Sequence, residues 1–213
     1  VAEDADLILA NATAPLQSAA AATTDIPILG TSVTDYATAL DISDWSGTTG
    51  RNISGTSDLA PLSEQAAMLN ELFPDAKNVG LLYCSAEANS QYQIDVIKEE
   101  LEKLNYTCTA YSFVDSNDIA SVVQSAVNDN DVLYVPTDNT AASNTEVINN
   151  MAGEAGVPII AGEAGICKGC GVATLSISYY DLGYQTGKMA YEILVNGADP
   201  STMEVEFAPA VTK

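Results

Sequence analysis

Residues 78–104 read NVGLLYCSAEANSQYQIDVIKEELEKL. An apolar run, Val79 to Tyr83, ends in a polar tip, Cys84-Ser85-Ala86-Glu87-Ala88-Asn89-Ser90, and an amphipathic segment follows. Over residues 90–104, Ile94, Ile97, Leu101 and Leu104 share one side and Glu and Lys the other, which predicts a helix with one buried face. The same cadence recurs twice. A buried-looking strand at 132–135 runs into Pro136-Thr137-Asp138-Asn139-Thr140, with a helix predicted over 141–155, and a strand at 157–161 runs into Ala161-Gly162-Glu163. Strands alternating with helices predict a parallel sheet covered on both faces. Such sheets bind ligands beyond the carboxyl ends of their strands. Tips rich in carboxylates, amides and hydroxyls at that edge describe a site for a small polar ligand.

Working outward, Tyr106 to Phe113 alternates like a half-exposed strand, and a helix is predicted at 117–129. A strand at 172–177 and a helix at 180–196 complete the series. Before the quoted stretch, Leu62, Ala66, Leu69 and Phe73 mark a helix starting near Pro61, with Ser57 or Asp58 as its cap. Further back, strand-like runs occur at Leu7 to Ala10, Ile26 to Gly30 and Asn52 to Asp58, separated by a helix signal after Pro15 and by the polar tip Thr31 to Tyr36. Residues 41–52 are loop. Residues 58–200 thus read as a C-terminal α/β lobe. Residues 1–57 read as a partial N-terminal lobe whose first strands are absent, because so few strands are thin for an independent sheet. Residues 201–213 read as a tail returning toward the hinge or lobe 1.

Composition narrows the chemistry. Seven Lys and Arg face 29 Asp and Glu, a net charge of −22. That field repels nucleic acid and anionic membrane surfaces. The chain has no histidine, so His-based triads, general bases and metal sites are excluded together. Arg51 is the only arginine, so an anionic ligand group would be held mostly by backbone N–H groups, hydroxyls and helix N-termini. No apolar run approaches the roughly 20 residues that span a bilayer. No P-loop or GxGxxG follows a strand, and nothing orients a nucleophile. No catalytic role, cofactor or metal is expected. Cys167-Lys168-Gly169-Cys170 has CxxC spacing, but it falls between a glycine-rich loop and a strand and has no second CxxC beside it. It reads as incidental or locally disulfide-bonded, with metal or redox use left open.

Several strings, taken together and in order, carry a resemblance. They are Ile28-Leu29-Gly30-Thr31-Ser32-Val33-Thr34-Asp35, Ser54-Gly55-Thr56-Ser57-Asp58, Leu82 to Ser90, Tyr134-Val135-Pro136-Thr137-Asp138-Asn139, Ile160-Ala161-Gly162-Glu163 and Ile177-Ser178-Tyr179-Tyr180-Asp181-Leu182-Gly183. Over nearly its whole length the chain resembles the ABC-transporter substrate-binding proteins that include aromatic amino-acid binders of the tryptophan and tyrosine type. The resemblance implies a type I periplasmic-binding-protein fold, in which two doubly wound lobes joined by a hinge trap a ligand. It implies an extracytoplasmic protein, periplasmic or a cell-surface lipoprotein, whose signal and first lobe-1 strands are absent from this chain. The implied partners are an aromatic L-amino acid and the membrane subunits of an ABC permease, and the implied state is a monomer.

An α-amino acid presents an ammonium and a carboxylate. Glu87, Asp138 and Glu163 sit on tips and are the candidate partners of the ammonium. Each could equally be a cap or first-turn acid favoured by the helix dipole. Ser85, Asn89, Ser90, Thr137 and Asn139 are the candidate donors to the carboxylate, and N-capping is their alternative role. Thr13, Ser32 and Asp35 are expected to face them from lobe 1. Tyr36, Tyr83, Tyr179 and Tyr180 are the candidate aromatic walls, although tyrosines at strand ends are often core. Competing readings are the sensor domain of a regulator, binding of a sugar or nucleoside, and a hydrolase or isomerase on a doubly wound sheet.

Overall fold

A computed structural model describes residues 4–208 and 211–212. The parts of the expected first lobe and tail at residues 1–3, 209–210 and 213 lie outside the described residues. The chain begins with β1 (Ile8–Asn11), α1 (Thr13–Ala22), β2 (Ile28–Val33), α2 (Tyr36–Leu40) and β3 (Ile53–Ser57). It continues through α3 (Leu62–Leu72), β4 (Asn78–Cys84), α4 (Ala88–Lys103), β5 (Thr107–Phe113), α5 (Ile119–Asp129) and β6 (Val132–Val135). Next come α6 (Asn139–Ala142), α7 (Thr145–Ala155), β7 (Ile159–Ala161), α8 (Ala164–Cys170), β8 (Ala173–Thr174) and β9 (Ser176–Ile177). The last elements are α9 (Tyr179–Leu194), β10 (Glu206–Phe207) and β11 (Val211–Thr212).

The chain divides into two compact units. The first runs up to Leu59 and resumes at Ile177, and the second spans Ala60–Ser176 and regains the chain at Val211. In the second unit the strand order is β5-β4-β6-β7-β8, with every pair parallel. Written in order of appearance this is 2-1-3-4-5, a doubly wound sheet whose winding reverses between β4 and β6. Adjacent strand residues point to opposite faces. Leu133 and Val135 therefore join the cluster containing Val123, Ile148 and Ile166 of α5, α7 and α8. Tyr134 points the other way, and its hydroxyl meets Gln65 of α3. β5 is the sheet edge, and its mostly exposed residues match the half-exposed pattern.

In the first unit β1, β2, β3 and β10 lie side by side, all pairs parallel. Ile28 packs with Leu16 and Tyr36 of α1 and α2. Its neighbour Leu29 faces away and packs with Met189 and Ile193 of α9. This corrects the expected boundary. The chain from Ile177 to residue 200 belongs with the first unit, because without α9 the Leu29 face of that sheet would lie open.

Local differences from the sequence reading have local causes. The helix expected over 141–155 is two helices, because Asn144 leaves the helical backbone and turns its amide back to the Thr140 carbonyl at 2.8 Å. Cys167 and Cys170, expected between a glycine-rich loop and a strand, lie in helix α8, and all four cysteines are free thiols. The strand expected over 172–177 is two short strands. Helix α2 begins at Tyr36, the last residue of the expected polar tip, where no helix was expected. Neither Ser57 nor Asp58 caps α3, whose N-cap position is Pro61 with no side-chain bond.

Candidate functional site

Unit two has its switch point at the ends of β4 and β6, and both strands run into polar tips there. Glu87 occupies the N-cap position of α4, yet its carboxylate does not cap that helix. It reaches the neighbouring tip instead. It accepts the Asn139 backbone N–H at 3.0 Å and side-chain amide at 2.7 Å, and the Thr140 backbone N–H at 2.9 Å and hydroxyl at 2.7 Å. Burial pushes its pKa up, but these donors together outweigh burial and hold the carboxyl below its ordinary value. Two proposed ligand contacts, Glu87 and Asn139, are thus bonded to each other. A cavity of about 470 Å³ lies beside them, lined by Cys84, Ala86, Glu87, Val114, Asn139 and Thr140 among others.

Asp138 is 1% exposed. One carboxylate oxygen caps α6 by accepting the Ala141 N–H at 2.8 Å, and the other accepts the Cys84 N–H at 2.7 Å. Burial is the largest influence and pushes its pKa up, with nearby Glu87 adding to the rise against hydrogen bonds from Ala141, Cys84 and Ser90. The side chain welds the ends of β4 and β6 together. Ser90, fully buried, stands beside it. Asn89 is 8% exposed and donates to the Thr137 carbonyl at 3.3 Å. Thr137 itself is partly exposed, and Ser85 is exposed with its hydroxyl donating to the Phe113 carbonyl at 3.3 Å. Glu163 caps α8, accepting the backbone N–H groups of Gly165 and Ile166.

Sequence reasoning missed two residues that hold these tips. Gln93 on α4 is fully buried; its amide accepts the Thr137 N–H at 3.0 Å and donates to the Thr137 carbonyl at 2.9 Å. Gln65 on α3 is also fully buried and donates to the Gly162 carbonyl at 3.0 Å and the Leu175 carbonyl at 2.7 Å. The available signal was polar residues at positions sharing the apolar stripe: Gln65 beside Leu62 and Ala66, and Gln93 beside Ile94 and Ile97.

Four candidates belong to unit one. Thr13 opens α1 and is buried. It follows Ala12, whose φ of 84° puts a non-glycine residue in the left-handed region. Ser32 also has a positive φ, 55°, within the register shift between Gly30 and Val33. Asp35 caps α2, accepting the Thr38 N–H at 2.7 Å. Tyr179 opens α9 and is 37% exposed; its hydroxyl donates to Asp58 at 3.0 Å. Asp58 also accepts the Thr34 hydroxyl at 2.9 Å and is 4% exposed, so it ties α9 to the end of β3.

Among the described residues no group of three or more His, Cys, Asp or Glu is placed to hold a metal ion, and no helix is long and apolar enough to cross a membrane. What the second unit offers is backbone N–H groups, amides and hydroxyls held rigidly at one sheet edge.

Known proteins of the same kind bear on this arrangement. The family described as ABC transporter substrate binding protein matches residues 1–212. A Tyrosine-binding protein of Clostridioides difficile (strain R20291) is 37% identical over 194 residues, covering 91% of this chain; the chain spans 56% of that relative. A solved ABC domain in complex with L-Trp from Streptococcus pneumonia matches with a TM-score of 0.93 at 32% identity, covering 99% of this chain and 73% of the other. The ligand-free, open structure of a substrate binding protein with adhesive properties from Clostridium difficile matches at 0.71 and 38% identity, covering 97% and 69%. With two parallel α/β units, polar tips at the switch point of the second, and this likeness along its length, the chain belongs to the ABC transporter substrate binding protein family and has the periplasmic-binding-protein fold.

Proposed function

We propose that this chain is part of the extracytoplasmic, solute-capturing component of an ABC importer, that its ligand is an aromatic L-amino acid, and that it delivers this ligand to a membrane permease. The observation that carries the reading is the likeness, at more than 30% identity, to two proteins whose names give tyrosine and L-Trp as ligands. The site chemistry supports it. A zwitterion needs donors for its carboxylate and acceptors for its ammonium, and the second unit sets amides, hydroxyls and acids side by side at one edge. In this reading Ser85, Thr137, Asn139 and Glu163, with Thr13, Ser32, Asp35 and Tyr179, meet the ligand. Glu87, Asn89, Ser90 and Asp138 act by holding the tips in place. The role is binding, not catalysis. Periplasmic release or lipid anchoring at the cell surface, and function as a monomer, belong to the same proposal.

Titration calorimetry of the full-length protein against the twenty amino acids, a sugar panel and nucleosides tests it. The expected result is one-to-one heat with tyrosine or tryptophan and none with sugars. Heat from a sugar or nucleoside alone would reject the reading.

A further inference from the structure

Gln65 and Gln93 lie below the tips, not on them, and both are fully buried. A buried amide is costly unless its bonds are made, and leucine would fill the same space without that cost. Here the bonds are made, and they converge on the tips. Gln93 presents its acceptor and one donor to the two sides of a single residue, Thr137, much as a neighbouring strand would, and gives its other N–H to the Asn89 carbonyl at 3.0 Å. Gln65 spends both N–H groups on Gly162 and Leu175 and accepts the Tyr134 hydroxyl at 2.5 Å. Tyr134 lies on β6, two residues before Pro136.

The two held tips also touch each other. The Gly162 N–H donates to the Val135 carbonyl at 2.7 Å. A Cβ on Gly162 would lie 2.6 Å from the Thr137 nitrogen and 2.7 Å from the Pro136 carbonyl carbon. The backbone after β6 and the backbone after β7 are therefore one packed body, braced from α4 by Gln93 and from α3 by Gln65.

We propose that Gln93, seconded by Gln65, is a positioning residue for ligand capture: its amide sets where Thr137 to Asn139 present their donors, and so sets affinity and stereochemical discrimination. This rests on the reading that an aromatic amino acid binds at these tips. The test uses Gln93→Met and Gln65→Met in the full-length protein, each first shown to melt cooperatively. Backbone amide exchange is read without ligand, and binding is read by calorimetry with L-tyrosine and D-tyrosine. In Gln93→Met the Thr137 amide should exchange about tenfold faster while the β4 amides keep their protection, and L-tyrosine affinity should fall about tenfold. The L-to-D preference should shrink as well, which loss of stability alone would not cause. Gln65→Met should act likewise through Gly162, and it carries the test if Gln93→Met does not fold. A loosened tip with unchanged affinity and unchanged L-to-D preference would overturn the positioning role and leave the function standing. A wild-type protein that binds no aromatic amino acid would overturn the function, and this inference with it.

Discussion

Asp138 and Glu87 are both acids on strand-to-helix tips, and in the sequence nothing separates them. In the fold they behave oppositely. Asp138 is sealed in, and its pKa is raised chiefly by burial. Ionising it works against the folded state, so its contribution to stability is present below the ordinary value of 3.8 and is lost as pH rises above that through the higher folded value. Glu87 keeps a lowered pKa because four donors from Asn139 and Thr140 favour the ionised form. Its contribution is present above the ordinary value of 4.5 and is lost as pH falls through the lower folded value. Glu87→Gln should therefore lower the melting temperature at pH 7, and the gap from wild type should narrow as pH falls below 4.5. Thermal melts across that range check it, and a constant gap would show that the carboxylate charge is not what matters. Both acids were legible as tip residues. Their partners were not, because each is bonded to a residue about fifty positions away.

At the scale of elements, the strands and long helices followed from periodicity, whereas α2, α8 and the break between α6 and α7 did not. These short pieces depend on single side chains: Asp35 caps α2, Glu163 caps α8, and Asn144 turns its amide back to the Thr140 carbonyl at the break. A capping acid and a ligand-binding acid look alike in one dimension. The packing of β2 on β3 depends on a pair that periodicity cannot reveal. Gly30 and Gly55 are register partners, and the Tyr36 ring lies across both with its hydroxyl on the Thr56 carbonyl at 3.2 Å. Gly55 has φ 145° and no room for a Cβ against Gly30 and Tyr36. Gly55→Ala should destabilise the protein by about 2–4 kcal/mol through strain and overpacking. Denaturant melts measure that directly, and a loss below about 0.5 kcal/mol would mean that the strands slide apart without cost.

At the scale of the whole molecule, a charge of −22 on 213 residues should make compactness depend on screening. Raising salt from about 10 mM to about 300 mM shortens the screening length severalfold, so the melting temperature should rise by several degrees. A melting temperature that is flat or falls with salt would show that favourable ion pairs outweigh the repulsion. The sparse salt bridges found among the described residues, Lys98–Glu102 and Lys103–Glu100 on the exposed face of α4, argue against that. The sequence by itself determined the α/β class, the parallel sheets, the polar edge and the absence of histidine chemistry, because strand and helix periods and composition are local properties of the chain. Only the tertiary structure decided that α9 covers the first sheet, that Asp138 is sealed in, and that Gln65 and Gln93 brace the tips. Those outcomes depend on which residues distant in the chain share one buried space, where an unpaired polar group is too costly to leave and each donor takes the acceptor the fold brings to it.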